Sequence, residues 1–284
     1  MAKNIILCAD STCDLGPELI EKHGVHIYPL HVLVDDKSCR DGIDITPDDI
    51  YATYEEKGVL PKTAAVSPAE YIEFFQPLVD AGNDVIHISL GSALSSSYNN
   101  CRLASLEVEG VYVVDSRNLS TGSGLLVLEA AERIAKGMAA EDIVAELNEI
   151  AGRVSASFVI NDLEFLHKGG RCSALAMFGA NVLKLKPSIK VNNADGSMGV
   201  DKKYRGTLEK ALSDYVADQL KDRTDIDTRR IFITHSGISE ERIALVKELV
   251  QQYGDFEEII VTRAGCTISS HCGPNTLGVL FITK

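Results

Sequence analysis

Ile5-Ile6-Leu7-Cys8-Ala9, closed by Asp10-Ser11-Thr12, is the stretch whose reading decides the fold. A short apolar run that stops on a polar turn suits a strand covered on both faces, as in a parallel sheet flanked by helices. His26–Val34, Asp84–Leu90 and Val111–Val114 repeat that form. Between and after them, Pro68–Leu78, Ala93–Leu106 and Leu125–Ala135 read as helices. Ile143, Leu147, Ile150 and Val154 recur at spacings of 4, 3 and 4 as one apolar stripe. Strand and helix signals in alternation predict a doubly wound, mostly parallel α/β domain over residues 1–155.

Beyond residue 155 the pattern changes. Ser155–Asn161, Pro187–Val191 and Val200–Arg205 are strand-like, and Asn192-Asn193-Ala194-Asp195-Gly196 reads as a hairpin turn between the last two. Leu208, Leu212, Tyr215 and Val216 mark one helix face, and Ile243, Val246, Val250 and Tyr253 another. Arg230–Thr234, Glu258–Arg263 and Gly278–Thr283 add three strands. Residues 156–284 are therefore expected to form a second, mixed α/β domain.

The 284 residues are 45% hydrophobic and 24% charged, values that oppose disorder and coiled coil. Lys and Arg number 28 against 41 Asp and Glu, and a net charge of −13 opposes binding to nucleic acid or an anionic membrane. No apolar run approaches the ~18–20 residues of a membrane helix. The N-terminal apolar stretch is too short for a signal peptide, and Leu7 stands where lipoprotein cleavage before Cys8 needs a small residue. The expected location is the cytoplasm. Seven cysteines without a C-x-x-C pair read as structural thiols, and no metal site is expected. One segment departs from the acidic background. Lys168 to Arg205 carries eight basic and two acidic residues, +6 against −19 for the remainder. It is either a solvated surface or a docking face for an acidic or phosphorylated partner.

Hydroxyl-rich turns follow the apolar runs, at the strand ends where α/β proteins bind ligands. They are Asp10-Ser11-Thr12, Ser89 to Tyr98, and Asp115-Ser116-Arg117-Asn118 leading into Ser120-Thr121-Gly122-Ser123-Gly124. Such residues cap helices, and they also cradle a phosphate or carboxylate. Neither the P-loop nor the dinucleotide fingerprint is present. Ser/His/Asp hydrolysis would need a G-x-S-x-G elbow, which Gly91-Ser92-Ala93-Leu94-Ser95 does not match.

At these residues the chain resembles the DegV family. The resemblance runs through Asp10-Ser11-Thr12-Cys13-Asp14-Leu15, Lys62-Thr63-Ala64-Ala65-Val66-Ser67-Pro68 and Ile88-Ser89 to Leu94-Ser95-Ser96-Ser97-Tyr98. It continues through Val114-Asp115-Ser116, Leu166-His167-Lys168-Gly169-Gly170-Arg171, Leu185-Lys186-Pro187-Ser188-Ile189 and His271-Cys272-Gly273-Pro274-Asn275-Thr276-Leu277-Gly278. These motifs occur in the family's order and cover nearly the whole chain.

The resemblance implies a two-domain, non-catalytic carrier with one long-chain fatty acid, such as palmitate, between its domains and no other cofactor. It implies a partner as well, a bacterial fatty-acid kinase that turns the presented carboxylate into an acyl-phosphate for phospholipid synthesis. The family's carboxylate contacts fall on Thr63, Ser95 and His271, with Arg171 of the Gly-Gly-Arg motif as a nearby cation. Two departures stand out: Ser96 replaces the glycine of the Leu-Ser-Gly-Thr motif, and Ala64 and Ala65 replace the usual neighbours of Thr63.

Elementary energetics fit a fatty acid, because each methylene removed from water contributes ~0.8 kcal/mol. The carboxylate is the costly end and needs hydrogen-bond donors. Ala174 to Ala180 offers small residues for a tunnel wall or an ordinary helix core. Lys202 and Lys203 are expected to steer the kinase, and Arg171 to meet the phosphoryl group as it forms. Two other readings remain: an acyl hydrolase or transferase using Ser95 and His271, and an anion-sensing domain.

Overall fold

The computed structural model describes residues 3–34, 37–172 and 185–284. The Ala174–Ala180 segment lies outside the described residues. In chain order the first part is β1 (Ile5–Asp10), a single 3-10 turn (Ser11–Cys13), α1 (Pro17–His23), β2 (His26–Tyr28), β3 (His31–Val34) and β4 (Lys37–Arg40). Then come α2 (Pro47–Lys57), β5 (Lys62–Ala64), α3 (Pro68–Asp80), β6 (Asp84–Ser89), α4 (Ser97–Glu107), β7 (Val111–Asp115), α5 (Thr121–Ala135) and α6 (Ala140–Ala151). The second part is β8 (Val154–Val159), α7 (Leu163–Gly169), β9 (Leu185–Val191), β10 (Met198–Arg205), α8 (Leu208–Leu220) and β11 (Ile226–His235). It ends with α9 (Glu240–Tyr253), β12 (Glu258–Arg263), α10 (Cys266–Cys272) and β13 (Leu277–Thr283).

The four apolar runs do build a parallel sheet, in the order β2-β1-β6-β7. Cys8 of β1 stands between His26 of β2 and His87 of β6. The second sheet is mixed, in the order β10-β9-β8-β13-β11-β12, antiparallel except for the β11–β12 pair. The protein is thus α/β, with a parallel-sheet domain and a mixed-sheet domain. Helix α5 packs on β1 and β6 from one side and on β8 and β13 from the other. Leu125, Leu126, Val127, Leu128 and Ala130 are accordingly all buried, so this part of the helix is covered on every side, and the buried Glu129 among them is paired with Arg133 and Arg229.

Several elements differ from the reading of the sequence. His26–Val34 is not one strand: β2 joins the parallel sheet, whereas β3 pairs with β4 and β5 in a small antiparallel sheet. Pro29 between them has no N–H to give to a ladder, and the chain changes sheet there. Val154 continues the spacing of the α6 stripe but lies in β8, because α6 ends at Ala151. Helix α4 starts at Ser97, four residues after Ala93. Helices α1, α2, α7 and α10 and strands β4 and β5 have no counterpart in the periodicity. No helix among the described residues is long and apolar enough to cross a membrane.

Candidate functional site

Asp10, at the carboxyl end of β1, organises the polar ends of the parallel strands. Its Oδ1 accepts from Tyr71 Oη at 2.8 Å and His87 Nε2 at 3.0 Å. Its Oδ2 accepts from Ser89 Oγ at 2.9 Å and Leu90 N at 2.8 Å. Burial alone would raise the pKa of this carboxyl, but His87 beside it and the bonds from His87, Leu90 and Tyr71 bring it below the usual range. It is therefore an ionised acceptor with its four lone-pair positions filled. It pins the start of the Leu90–Ser96 turn.

A second pair of carboxylates fixes α10. Asp14 Oδ1 accepts from Gly265 N at 2.8 Å, and its Oδ2 from Ser120 Oγ at 2.5 Å. Asp41 accepts from Cys266 N at 2.7 Å, Thr267 N at 3.0 Å and Ser11 Oγ at 3.0 Å. Acidic side chains from the parallel-sheet domain thus satisfy the free N–H groups at the start of a helix that precedes the last strand of the mixed sheet. Burial raises the Asp14 pKa to about 8. The Asp10-Ser11-Thr12-Cys13-Asp14 motif is scaffold: it holds the elements that carry the site and does not line it.

Between these supports lies a cavity of about 170 Å³. Thr63 of β5, Ser95 and Ser96 of the turn before α4, Arg171 after α7, and Thr267 and His271 of α10 give its polar wall. Leu30, Leu90, Leu94, Leu166 and Met198 are among the apolar residues around them. Leu119, Ile268 and Cys272 also border a second chamber of about 30 Å³, which reaches Ala156, Phe158 and Leu280 on the mixed sheet. Helix α10 therefore turns two stripes inward. Thr267 and His271, four residues apart, face only the first chamber, while Ile268 and Cys272 face both.

Thr63 and His271 come together: Thr63 Oγ1 lies 2.8 Å from His271 Nε2. Both sit on regular elements, a strand and a helix. Burial, and then the positive charge of Arg171, lower the His271 pKa to about 4, so the imidazole is neutral at pH 7. Ser95 lines the same cavity but does not pair with His271. Its Oγ accepts from Ser97 N at 3.1 Å and lies 3.0 Å from Ser97 Oγ. Ser97 and Asn100 in turn hold the Val66 backbone, three residues after Thr63, through Val66 N–Ser97 Oγ at 3.4 Å and Asn100 Nδ2–Val66 O at 2.7 Å. Ser96 replaces a glycine without strain, since its φ of −72° and ψ of −4° suit any residue.

Arg171 is exposed at the cavity wall, and its Nη1 donates to Gly169 O at 2.7 Å. Lys202 and Lys203 are exposed on the edge strand β10 and line neither chamber. Lys202 is paired with Asp218 at 2.9 Å, and Lys168 with Glu164, so part of the segment's positive charge is neutralised locally.

Sequence reasoning missed Thr267. Its hydroxyl oxygen is buried without a partner among the described residues, although the residue lines the cavity. Its place four residues before His271 is the signal that would have found it, once that segment is known to be helical.

The molecule is thus an α/β protein with a parallel-sheet and a mixed-sheet domain, and residues of both line an amphipathic cavity. The chain belongs to the DegV family, whose model, described as an uncharacterised protein family, matches residues 4–284. It is 31% identical to a DegV domain-containing protein of Caldanaerobacter subterraneus over 99% of this chain and all of that one. It is 29% identical to protein DegV of Bacillus subtilis, with the same coverage. Among solved structures it superposes with a TM-score of 0.88 on a DegV family protein from Thermus thermophilus whose fatty-acid binding was described. That pair is 29% identical and covers 99% of this chain and 100% of the other. A stearic-acid-binding protein from Eubacterium ventriosum, 25% identical, gives 0.83 over 100% and 99% of the two chains.

Proposed function

We propose that this protein is a non-catalytic carrier of one long-chain fatty acid, held between the halves 1–155 and 156–284 with its carboxylate at Thr63, Ser95 and His271. The observation that carries this reading is a cavity that sets hydroxyls and a neutral imidazole beside aliphatic walls, with a second, apolar-lined chamber sharing Leu119, Ile268 and Cys272 with it. Relatives that bind fatty acids share this fold over nearly their whole length. The acyl chain contributes ~0.8 kcal/mol per buried methylene. The carboxylate keeps its charge only if donors replace its water. Thr63 and Ser95 each supply a hydroxyl, and Thr267 supplies a third that otherwise has no partner.

The carrier works in the cytoplasm without a further cofactor and presents the carboxylate to a separate fatty-acid kinase. Arg171 meets the phosphoryl group, and Lys202 and Lys203 orient the kinase. The alternative of a Ser95–His271 hydrolase lacks the nucleophile–base hydrogen bond, since each of these side chains is bonded elsewhere. Native mass spectrometry of the protein purified from its bacterial cells is the test. A retained mass in the range of a C14–C20 fatty acid is expected. Repeated lipid-free preparations that take up no fatty acid would overturn the carrier reading and favour an anion sensor. Ester turnover abolished by Ser95→Ala would favour the hydrolase.

A further inference from the structure

The Gly169-Gly170-Arg171 turn packs against the far side of the His271 ring. Gly169 ends α7, Gly170 follows with a φ of +69°, and Arg171 clamps the Gly169 carbonyl. A Cβ added to Gly169 would overlap His271 Nδ1 and would stand 3.3 Å from Cε1 and 3.4 Å from Cγ. Near-equal distances to the two carbons flanking Nδ1 put that point on the axis along which an Nδ1 proton would project. The Cα–H bond of Gly169 occupies this direction. A lone pair tolerates a C–H neighbour, whereas an N–H there would collide with it. Nδ1 is also buried and has no hydrogen-bond partner among the described residues, so no acceptor there waits for such a proton.

We infer that Gly169 fixes the tautomer of His271, with the proton on Nε2, so that His271 acts as a positioning residue through Thr63. The bond at 2.8 Å then runs from His271 Nε2–H to Thr63 Oγ1. Thr63 Oγ1 then accepts through one lone pair, and its own O–H is left to point into the cavity. The group that donates to the ligand is the Thr63 hydroxyl, polarised by the imidazole behind it. The Gly-Gly-Arg turn is thereby connected to the head group through packing, whatever its arginine does at the surface.

This inference deepens the fatty-acid reading of the same cavity, and its first test does not depend on that reading. Long-range ¹H–¹⁵N spectra of the full chain, with the His271 signal identified by its loss in His271→Gln, should show a protonated Nε2 and an unprotonated Nδ1. The opposite pattern overturns the proposal, whether or not lipid is bound. The second test is lipid retention. His271→Gln, which keeps a donor near Nε2, should stay within about threefold of wild type, while His271→Asn should lose about tenfold, as expected for one lost hydrogen bond. Rescue by Asn in place of Gln would overturn it. Gly169→Ala should cost about tenfold in wild type and less than about twofold once His271→Ala has removed the ring, because coupled neighbours are non-additive. An equal loss in both backgrounds would show that Gly169 does not act through the ring.

Discussion

His87 and His271 each bond through Nε2 and leave a buried Nδ1 without a partner among the described residues, yet they do different work. His87 faces Asp10, whose oxygens accept from His87, Tyr71, Ser89 and Leu90, and the rings of Tyr71, Phe74 and Phe75 close around the imidazole. Asp10, Tyr71, His87 and Ser89 line neither chamber. His271 faces a hydroxyl that lines the cavity. The partner decides the role. A carboxylate with four donors has no capacity left, while a hydroxyl has one donor and two acceptor lone pairs and keeps a donor free after accepting one bond. The filled carboxylate of Asp10 therefore holds the fold, and the Thr63 hydroxyl still has a donor to offer at the cavity wall.

Removing the spent cluster should therefore cost the most stability. Asp10→Ala strands four donors in an apolar surround and is expected to lose about 3–5 kcal/mol of unfolding free energy. Urea denaturation at neutral pH measures it, and a loss below about 1 kcal/mol would mean that the cluster is not the anchor described.

The cavity histidine should show itself in the pH dependence. Its pKa falls from 6.5 to about 4 on folding, so the unfolded chain takes up a proton first as pH drops. Its contribution is complete above pH 6.5 and declines as pH falls towards 4, by about 3 kcal/mol in total. Asp14 acts with the opposite sign. Its pKa rises from 3.8 to about 8, so its contribution is complete below 3.8 and is lost as pH rises through 8. Between pH 4 and 6.5 the two slopes oppose each other. His23 and His235, whose pKa values burial also lowers, slope with His271, so the readout is a difference: lipid-free His271→Gln should lose stability relative to wild type as pH rises across that window. Parallel curves for the two proteins would refute the assignment.

Thr63→Ala sharpens the contrast from the ligand side. It should weaken fatty-acid retention by about 1–3 kcal/mol, because a buried acceptor loses its donor, while the urea midpoint falls much less than in Asp10→Ala, since a single donor, His271 Nε2–H, loses its acceptor. Retention measured by lipid release to vesicles, together with that midpoint, decides the matter. A large stability loss without a retention defect would place Thr63 with Asp10 on the structural side.

The two regions were unequally visible in the sequence. The strands ending in Asp10 and Ser89 announce themselves as apolar runs closed by polar residues, and their alternation with helices points to a parallel sheet, though not to its strand order. Thr63, Ser95 and His271 were reached only through resemblance to a family. Strand β5 is three residues long, and α10 is buried at every position but His271, so it has no polar stripe for periodicity to find. Asp14 and Asp41 were unreadable as helix caps, because the helix they cap lies more than two hundred residues away in the chain. The split of His26–Val34 was legible in principle from Pro29.

Thr267 offers the smallest effect and the cleanest sign test. In the protein without ligand its hydroxyl is buried and unpaired, a state that costs free energy relative to a methyl group of the same shape. Thr267→Val should therefore leave lipid-free stability unchanged or raise it by up to about 1 kcal/mol. If the hydroxyl donates to the carboxylate, as its position on the His271 stripe suggests, the same substitution should weaken fatty-acid retention by about 1 kcal/mol, roughly fivefold. Thr267→Ser keeps the donor and should retain lipid like wild type. A general packing defect would lower both quantities together, so opposite signs in a single variant isolate the hydroxyl. Retention unchanged in Thr267→Val would make Thr267 only a wall of the cavity and leave the head group to Thr63 and Ser95.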